Sequence, residues 1–499
     1  MTFHPTRPML IDRTIAALVV CALAPAGVAS TFVPPSISPA RDRSIDALMP
    51  PLSHIPATAS VTGANADAVH HSTAAASRAF PQVTAGFKQF LDAQVQITYA
   101  TRSATAKVAD PTAFAEMQRY LFNRYNGLTV TSSLHEGTQV FDCIPQAQQP
   151  GLRNGDLIAL PPSIAPAKTP GAPDPASQRC AAGSVPLARI GLADMSKHAT
   201  LQDFLRGTTP RIAAATRAPV APVAPAAQGA ASVVHYYSTI YLDTAGSPVT
   251  GAGADLNTWI PAVRANDAQS ISQIWLGGYT PQGQIQTLEA GWQTQPGAGW
   301  GNTPFLFIYS TQDGYVKTGC HNLDCADFVQ TSSANVLGAT PAGGFSSAGG
   351  KQAMLHVEFQ RNADGYWWFG LNGEWIGYYK AELYAGDIAE GSANIFISAG
   401  GEISTWDGRP SAPMGSGRFA SAGYRQAAFQ ANHFYRDASM ATRPAQRLSS
   451  LNVEQPACYT LALAGYTYPY ALGSGVSRTS LSPEMQNGGF YFGGPGCAR

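Results

Sequence analysis

The sequence is short of charge. Lys and Arg number 31 and Asp and Glu also 31, and charged residues make up 12% of the chain, about half the roughly 25% of ordinary soluble domains. The two signs cancel and no long basic run occurs, which excludes nucleic acid as a partner, because neutralising a phosphate backbone needs a clear excess of Lys and Arg. The same lack argues against an anionic membrane surface. Long apolar runs are missing too. The stretch from Ile15 to Leu23 falls far short of the ~20 residues of a spanning helix, and no later segment could cross a bilayer. Common catalytic motifs are also absent. Gly415-Ser416-Gly417 has the wrong frame for a nucleophile elbow, and Ser346 has no glycine two residues on. There is no His-Glu-x-x-His, and His356-Val357-Glu358 falls on an expected strand whose polar side chains read as a solvated face. No phosphate loop or dinucleotide fingerprint is found, so neither a cofactor nor a metal is expected.

What is present is turn-forming and apolar. Gly 49, Pro 37 and an apolar content of 45% in 499 residues suit two or three domains of an exported, all-β kind. Residues 1–29 read as an export signal: Arg7 and Arg13 precede the short apolar stretch, and Ala24, Ala26, Gly27 and Ala29 offer cleavage sites. A lipoprotein signal would use Cys21, but Leu18-Val19-Val20 before it is a poor match. A secreted protein, extracellular or periplasmic, is expected. Beyond the signal lie Cys143, Cys180, Cys320, Cys325, Cys458 and Cys497, an even number in an exported chain. They fall in three neighbouring couples, and short loops close most easily, so the expected disulfides are Cys143–Cys180, Cys320–Cys325 and Cys458–Cys497. Cys320 and Cys325 as zinc ligands beside His321 would need a fourth donor that is not evident.

Four regions follow the signal. Residues 30–78 are rich in Pro, Ala and Ser and read as a disordered tail. Residues 79–206 read as a small α+β domain, its best helix running from Pro111 to Asn126 with Asp110 as N-cap and Gly127 as terminator. Strands are expected at Leu128–Ser133 and Thr138–Ile144, joined around Gly137. Residues 207–230 form a Pro/Ala-rich linker, exposed and easily cut. Residues 231–499 carry strand patterns and Gly-rich turns and no convincing helix, and read as an antiparallel two-sheet β-sandwich. Pro304–Ser310 is apolar on both faces; Met354–Gln360 alternates, with Leu355, Val357 and Phe359 inward; Asn372-Gly373 marks a hairpin; and Ala393–Ser398 is a strand ending at Ala399-Gly400-Gly401.

Carboxylates are what remains for chemistry. Asp313, Asp324, Asp364, Glu374 and Asp407 sit in turns or on polar faces and read as solvated. Glu289, in Leu288-Glu289-Ala290-Gly291-Trp292, and Glu402, after Gly400-Gly401, lie among small and apolar residues instead. A glycine beside a strand carboxylate often marks a close backbone approach. The alternative is a pair of isolated buried carboxylates bonded to backbone amides.

The second half resembles the catalytic domain of the neprosin family of glutamic peptidases. The resemblance rests on Leu288-Glu289-Ala290-Gly291-Trp292, Gly319-Cys320-His321-Asn322-Leu323-Asp324-Cys325, Trp367-Trp368, Gly377-Tyr378-Tyr379, Gly400-Gly401-Glu402, Met414-Gly415-Ser416-Gly417 and Tyr491-Phe492-Gly493-Gly494-Pro495-Gly496, in that order. The first half resembles the family's activation segment at Phe141-Asp142-Cys143-Ile144 and Gln149-Pro150. The resemblance implies that Glu289 and Glu402 are the catalytic pair and that residues 79–206 are a pro-domain; the cuttable linker and the pair together suggest that this pro-domain acts as intramolecular inhibitor by covering the cleft. It also implies peptide or protein substrates, cut after proline. Physics adds that two carboxyls close together share a proton, so one pKa rises and activity peaks in acid. Trp292, Trp367, Trp368, Tyr378 and Tyr379 are candidates to line a proline pocket, Trp292 foremost for substrate binding. A monomer is expected. Two rival readings are a glycoside hydrolase or carbohydrate-binding sandwich, for which two glutamates and many tryptophans would serve equally, and a non-catalytic interaction protein on a degenerate enzyme fold.

Overall fold

The structure is a computed structural model that describes residues 83–104, 106–152, 156–168, 179–206, 233–264, 267–296 and 301–497. The expected signal, N-terminal tail and linker, 1–29, 30–78 and 207–230, lie outside the described residues. Among the described residues no helix is long and apolar enough to cross a membrane.

The N-terminal region is α+β. Its main helix, Pro111–Tyr125, starts where Asp110 accepts a hydrogen bond from the Ala113 amide at 2.9 Å and stops before Gly127, whose φ is +72°. Phe114, Met117 and Leu121 form its buried stripe. Three antiparallel strands follow: β1 (Ser132–Glu136), β2 (Gln139–Pro145) and β3 (Ser184–Ala188). The first of these begins later than its sequence suggests. Residues 128–131 stay outside it, and Val130 instead makes an isolated bridge with Val83. Cys143 on β2 is bonded to Cys180.

Strands dominate the remainder. In chain order they begin with β4 (Val234–Leu242), β5 (Gly251–Asn257), β6 (Asp267–Tyr279), β7 (Ile285–Thr294), β8 (Phe305–Thr311), β9 (Cys320–His321) and β10 (Phe328–Gln330). Next come β11 (Met354–Arg361), β12 (Trp367–Leu371), β13 (Glu374–Tyr379), β14 (Phe396–Thr405) and β15 (Ala428–Arg436). The last are β16 (Thr442–Pro444), β17 (Leu448–Val453), β18 (Thr460–Ala464), β19 (Val476–Thr479) and β20 (Gly489–Gly493). They build two sheets, ordered β17-β4-β14-β6-β7-β8-β9 and β10-β13-β12-β11-β5-β15-β20-β18-β19, with β16 added to β15. Every pair is antiparallel except β18 with β19. One short helix, Gly386–Glu390, interrupts this half, where the sequence suggests none.

Inward residues of the two sheets make one core. Leu288, Ala290 and Trp292 on β7, Ile274 and Leu276 on β6, and Ala399 and Ile403 on β14 are buried toward the second sheet. Polar contacts cross the same gap. The Gln430 amide of β15 donates to Ser272 Oγ, the Gln273 carbonyl and the Gly400 carbonyl, and Trp292 Nε1 donates to the Asn257 carbonyl of β5 at 3.0 Å. The hairpin of β12 and β13 turns at Asn372 and Gly373, both with positive φ as a type I′ turn requires. The remaining disulfides join Cys320 to Cys325 and Cys458 to Cys497.

Two local expectations are corrected. β14 does not end at Gly400-Gly401 but runs on to Thr405, held by β4 on one side and β6 on the other. Gly400, at φ +148°, is needed because a Cβ there would collide with the Ser238 carbonyl. The polar face of β11 is not solvated either. His356, Glu358 and Gln360 are buried, because an ion network and residues 156–168 of the N-terminal region cover them. His356 Nδ1 lies 2.8 Å from Asp255 Oδ1, and Arg436 donates to Glu358 at 2.6 Å and to Gln360 at 3.0 Å. Burial alone would push the His356 pKa down, but its hydrogen bonds to Asp255 and Glu358 outweigh that and hold it up at about 9.

Trp292 is fully buried between the sheets, so Trp292→Ala should lower stability by about 3–5 kcal/mol through the cavity it leaves. Urea unfolding at fixed pH measures this; a variant within about 1 kcal/mol of wild type would place the indole outside the core.

Candidate active site

Glu289 and Glu402 reach one surface because of strand register. On β6, Ile271 lies opposite Glu402 of β14, Gln273 lies between Gly400 and Gly291, and Trp275 lies opposite Glu289 of β7. Directly opposed residues share a face, and alternate residues of one strand do too. Glu289, Glu402, Gln273 and Trp275 therefore all lie on the face turned away from the second sheet. Gly400 and Gly291, on either side of Gln273, leave the row between the glutamates without flanking side chains. The glutamate rows are four positions apart on β6, roughly 13 Å along the strand.

Each carboxyl has its own hydrogen bonds. Glu289 Oε1 accepts from Thr287 Oγ1 at 2.7 Å and from the Tyr315 hydroxyl at 2.5 Å. Tyr315 stands on the loop after β8 with φ +64°, and that loop is tied by Asp313, which accepts from the amides of Val316, Lys317 and Thr318. Glu402 Oε2 accepts from Gln273 Nε2 at 3.0 Å, and its Oε1 lies 2.5 Å from His235 Nδ1. Glu289 and Glu402 are 2% and 3% exposed. Burial raises the Glu289 pKa to about 7, against the pull of the Tyr315 and Thr287 hydrogen bonds, while the charge of Glu402 adds a smaller push in the same direction. The rise thus comes first from burial, not from a proton shared in contact as the sequence suggests. A third carboxyl, Glu454, accepts from the Tyr237 amide at 3.3 Å, and its pKa is also raised, chiefly by burial.

The aromatic candidates go elsewhere. Trp292 is on the opposite face of β7 from Glu289, in the core. Trp367 and Tyr379 belong to the second sheet, with Trp367 Nε1 donating to the Ile388 carbonyl. Trp368 and Tyr378 occupy that sheet's outer face, packed with Leu152 and Val329. The aromatics beside the glutamates are Trp275, Tyr237, Tyr309 and Tyr315. Of the site residues not foreseen, Thr287 and Gly291 could have been found by period-two spacing from Glu289; His235, Gln273 and Tyr315 arrive through pairing and a loop that no local pattern marks. An apolar cavity of about 250 Å³ lies where the hairpin of β1 and β2 packs near residues 334–342, and neither glutamate lines it. Among the described residues, no three His, Cys, Asp or Glu side chains converge as a metal site would need.

The N-terminal region presses on the first sheet beside the glutamates. Gln202 Nε2 donates to the Lys317 carbonyl at 2.8 Å and Arg206 donates to the Val316 carbonyl, so the helix Leu201–Leu205 and the residue after it grip the loop that carries Tyr315. Asp324, expected in solvent, is buried near Arg124 at 3.9 Å, and Arg124 donates to the Leu323 carbonyl at 2.7 Å. Gln149 docks at the edge of the second sheet: its amide group both accepts from and donates to the Gln330 backbone, at 2.6 Å and 2.9 Å, as a paired strand would.

The site thus joins a buried carboxyl that keeps its proton to about neutrality with a second buried carboxyl held by an amide and an imidazole. Among solved structures, a scytalidoglutamic peptidase with a transition-state analogue inhibitor is similar at 10% identity, over 53% of this chain and 99% of that one, with a TM-score of 0.27. SCP-B, an eqolisin-family peptidase in complex with a tripeptide, is similar at 8% identity over 44% and 86%, TM-score 0.23. The CBM40 domain of a Ruminococcus gnavus sialidase, bound to α2,6-sialyllactose, is similar at 13% identity over 35% and 90%, TM-score 0.18. Residues 266–495, which contain both glutamate strands, match the family model Neprosin.

Proposed function

We propose that the chain is a secreted glutamic endopeptidase, made as a precursor, that cuts after proline in acid through Glu289 and Glu402. The observation that carries this reading is the placing of two buried glutamates on one face, with unlike hydrogen-bond partners. Glu289 is protonated below about pH 7 and donates to the substrate carbonyl oxygen. Glu402, oriented by Gln273 and His235, takes a proton from a water that lies between the two rows, and the resulting hydroxide forms a bond to the carbonyl carbon. When the C–N bond breaks, Glu402 passes that proton to the leaving amine and Glu289 recovers its own. Atoms and charges return to their starting state, with water added across the peptide bond.

The N-terminal region, residues 79–206, would keep the precursor inactive. Its grip on the loop of Tyr315, through Gln202 and Arg206, supports this, as does its burial of Asp324. A cut in residues 207–230 would release it. Export fits the three disulfides, which persist in oxidising compartments.

The direct experiment incubates purified precursor at about pH 3 to 5 with proline-containing peptides and reads products by mass spectrometry. Wild type should shed its first half and cut after proline, while Glu289→Gln and Glu402→Gln should each lose at least roughly 100-fold in rate. Variants as active as wild type would make both glutamates structural.

Burial of Glu289 has a consequence for stability. Its folded pKa, about 7, exceeds the ordinary 4.5, so the native state binds the proton more tightly than the unfolded chain. That contribution is full below about pH 4.5 and is lost as pH rises through 7, by up to about 3 kcal/mol. In the Glu402→Gln background, adding Glu289→Gln should therefore remove a fall in stability between these pH values. Identical urea midpoints for the two proteins at every pH would remove the basis for a retained proton.

Tyr315→Phe takes away a donor that favours the ionised form of Glu289. The alkaline limb of the pH–rate profile should move to higher pH, measured on kcat/KM with a single proline peptide. A limb that stays in place or moves to lower pH would assign it to another group.

A further inference from the structure

The outer face of the second sheet carries a groove with no part in the chemistry above. Trp368, Trp375, Tyr366 and Tyr378 line it: the Tyr366 and Tyr378 rings stack at 5.1 Å, and Trp368 lies 4.9 Å from Tyr378 and 6.4 Å from Trp375. Residues 156–168 of the N-terminal region lie on it without regular secondary structure, bending at Ser163-Ile164. Three of these thirteen residues, Pro161, Pro162 and Pro166, are proline.

Lys380 pairs with Asp156 at the start of this segment, and four further hydrogen bonds go to its backbone. The Ala159 amide donates to the Tyr378 hydroxyl at 3.1 Å, Trp375 Nε1 donates to the Ile164 carbonyl at 3.0 Å, and the Ala167 amide donates to Glu358 Oε1 at 2.8 Å. Asn362 Nδ2 reaches the Leu160 carbonyl at 3.5 Å. The other oxygen of Glu358 is fixed by Arg436, so that buried carboxylate is set in place as an acceptor. Gly370 leaves space that Pro166 fills; a Cβ on it would stand 3.0 Å from the proline ring.

The orientation of the segment shows what the groove selects. Its two leucines are in solvent, with Leu157 92% and Leu160 81% exposed. Of the three prolines Pro162 is buried, Pro166 half-buried and Pro161 exposed, and Ala159 and Ile164 are half-buried. A segment that merely covered an apolar face would turn its leucines inward. Prolines suit the site because they bring no amide hydrogen that would need a partner, and flat rings pack on aromatic faces. An indole N–H that donates to a carbonyl among prolines is the chemistry of aromatic grooves that bind proline-rich segments.

We infer that this face is a second, non-catalytic binding groove for proline-rich polypeptide, filled in the full chain by residues 156–168. That the freed groove holds substrate for the glutamates rests on the peptidase reading; the groove's binding does not, and is tested apart from activity.

The test uses the full chain and a fluorescent synthetic peptide of residues 156–168, followed by polarisation. In wild type the tethered segment competes at an effective concentration on the order of millimolar, so the peptide should bind weakly. Weakening the tethered copy by Pro162→Ser, Ile164→Ser and Pro166→Ser together should tighten peptide binding by at least roughly tenfold. Adding Trp375→Phe, which keeps a ring but removes the donor, should reverse about tenfold of that gain. A peptide with its prolines replaced by alanine should not compete. A second variant, Ala159→Pro with Ala167→Pro, removes the two amide donors of the tethered copy and serves if the first does not fold. Folded variants, judged by circular dichroism and melting, that bind the peptide no better than wild type would overturn the proposal. So would variants that bind a xylan or cellulose oligosaccharide and not the peptide, which would make the aromatic face a sugar platform.

Discussion

Alternation within β6, β7 and β14 constrains everything else in the catalytic half. Each of these strands is buried on both faces, so parity alone decides whether a side chain enters the core or the outer surface. Trp292 and Glu289 are three positions apart, and that odd interval sends one between the sheets and the other away from them. The same parity places Gln273 between the two glutamate rows and puts glycines on both sides of it. A slip of one residue in either pairing would turn a carboxyl toward the second sheet and away from the partners it has, Thr287 and Tyr315 for Glu289 or Gln273 and His235 for Glu402.

Burial then tunes the chemistry that register has assembled. Glu289 is not forced to keep its proton by a carboxyl in contact, since four positions of β6 separate the rows. It is dry, and its two hydroxyl donors only partly offset the cost of charging it. This separates two demands that a touching pair would confuse. Glu289 can be poised by how dry its surroundings are, and Glu402 can be oriented by Gln273 and His235.

Much of the fold was legible because it depends on local rules. Asp110 and Pro111 announce a helix start, Asn372-Gly373 a tight hairpin, and Leu355, Val357 and Phe359 an inward strand face. Errors arose where a distant segment changed the meaning of a local pattern. His356 and Glu358 look solvated on their own strand and are buried only because Arg436, Asp255 and residues 156–168 come to cover them. β14 looks broken by its glycines, yet Gly400 lets it pass close to β4 and Gly401 makes room for Phe492 and Met414, so the strand continues to Glu402. In the site itself the two glutamates stood out by their apolar neighbours. Tyr315 did not, because a tyrosine in a turn with positive φ carries no sign that its hydroxyl ends on a carboxylate 26 residues earlier.

The N-terminal region meets the catalytic half in two different ways, and the difference bears on how a precursor could be held and released. Beside the first sheet it donates to the Lys317 and Val316 carbonyls of the loop that holds Tyr315, and to the Leu323 carbonyl after β9. Along the second sheet it supplies a strand-like amide at Gln149 and a proline-bearing segment seated on aromatic rings. Those of Gln202 and Arg206 act on the loop that holds Tyr315, so they bear directly on Glu289. Contacts of the second kind are spread over a wide face and bear on affinity. On the proposed reading, latency and retention are therefore carried by separate surfaces: loosening the grip on the loop would alter Glu289 before the whole region left, while the groove would continue to hold proline-rich chain near the enzyme. One aromatic groove then serves first to keep the precursor together and afterwards to gather what it cuts.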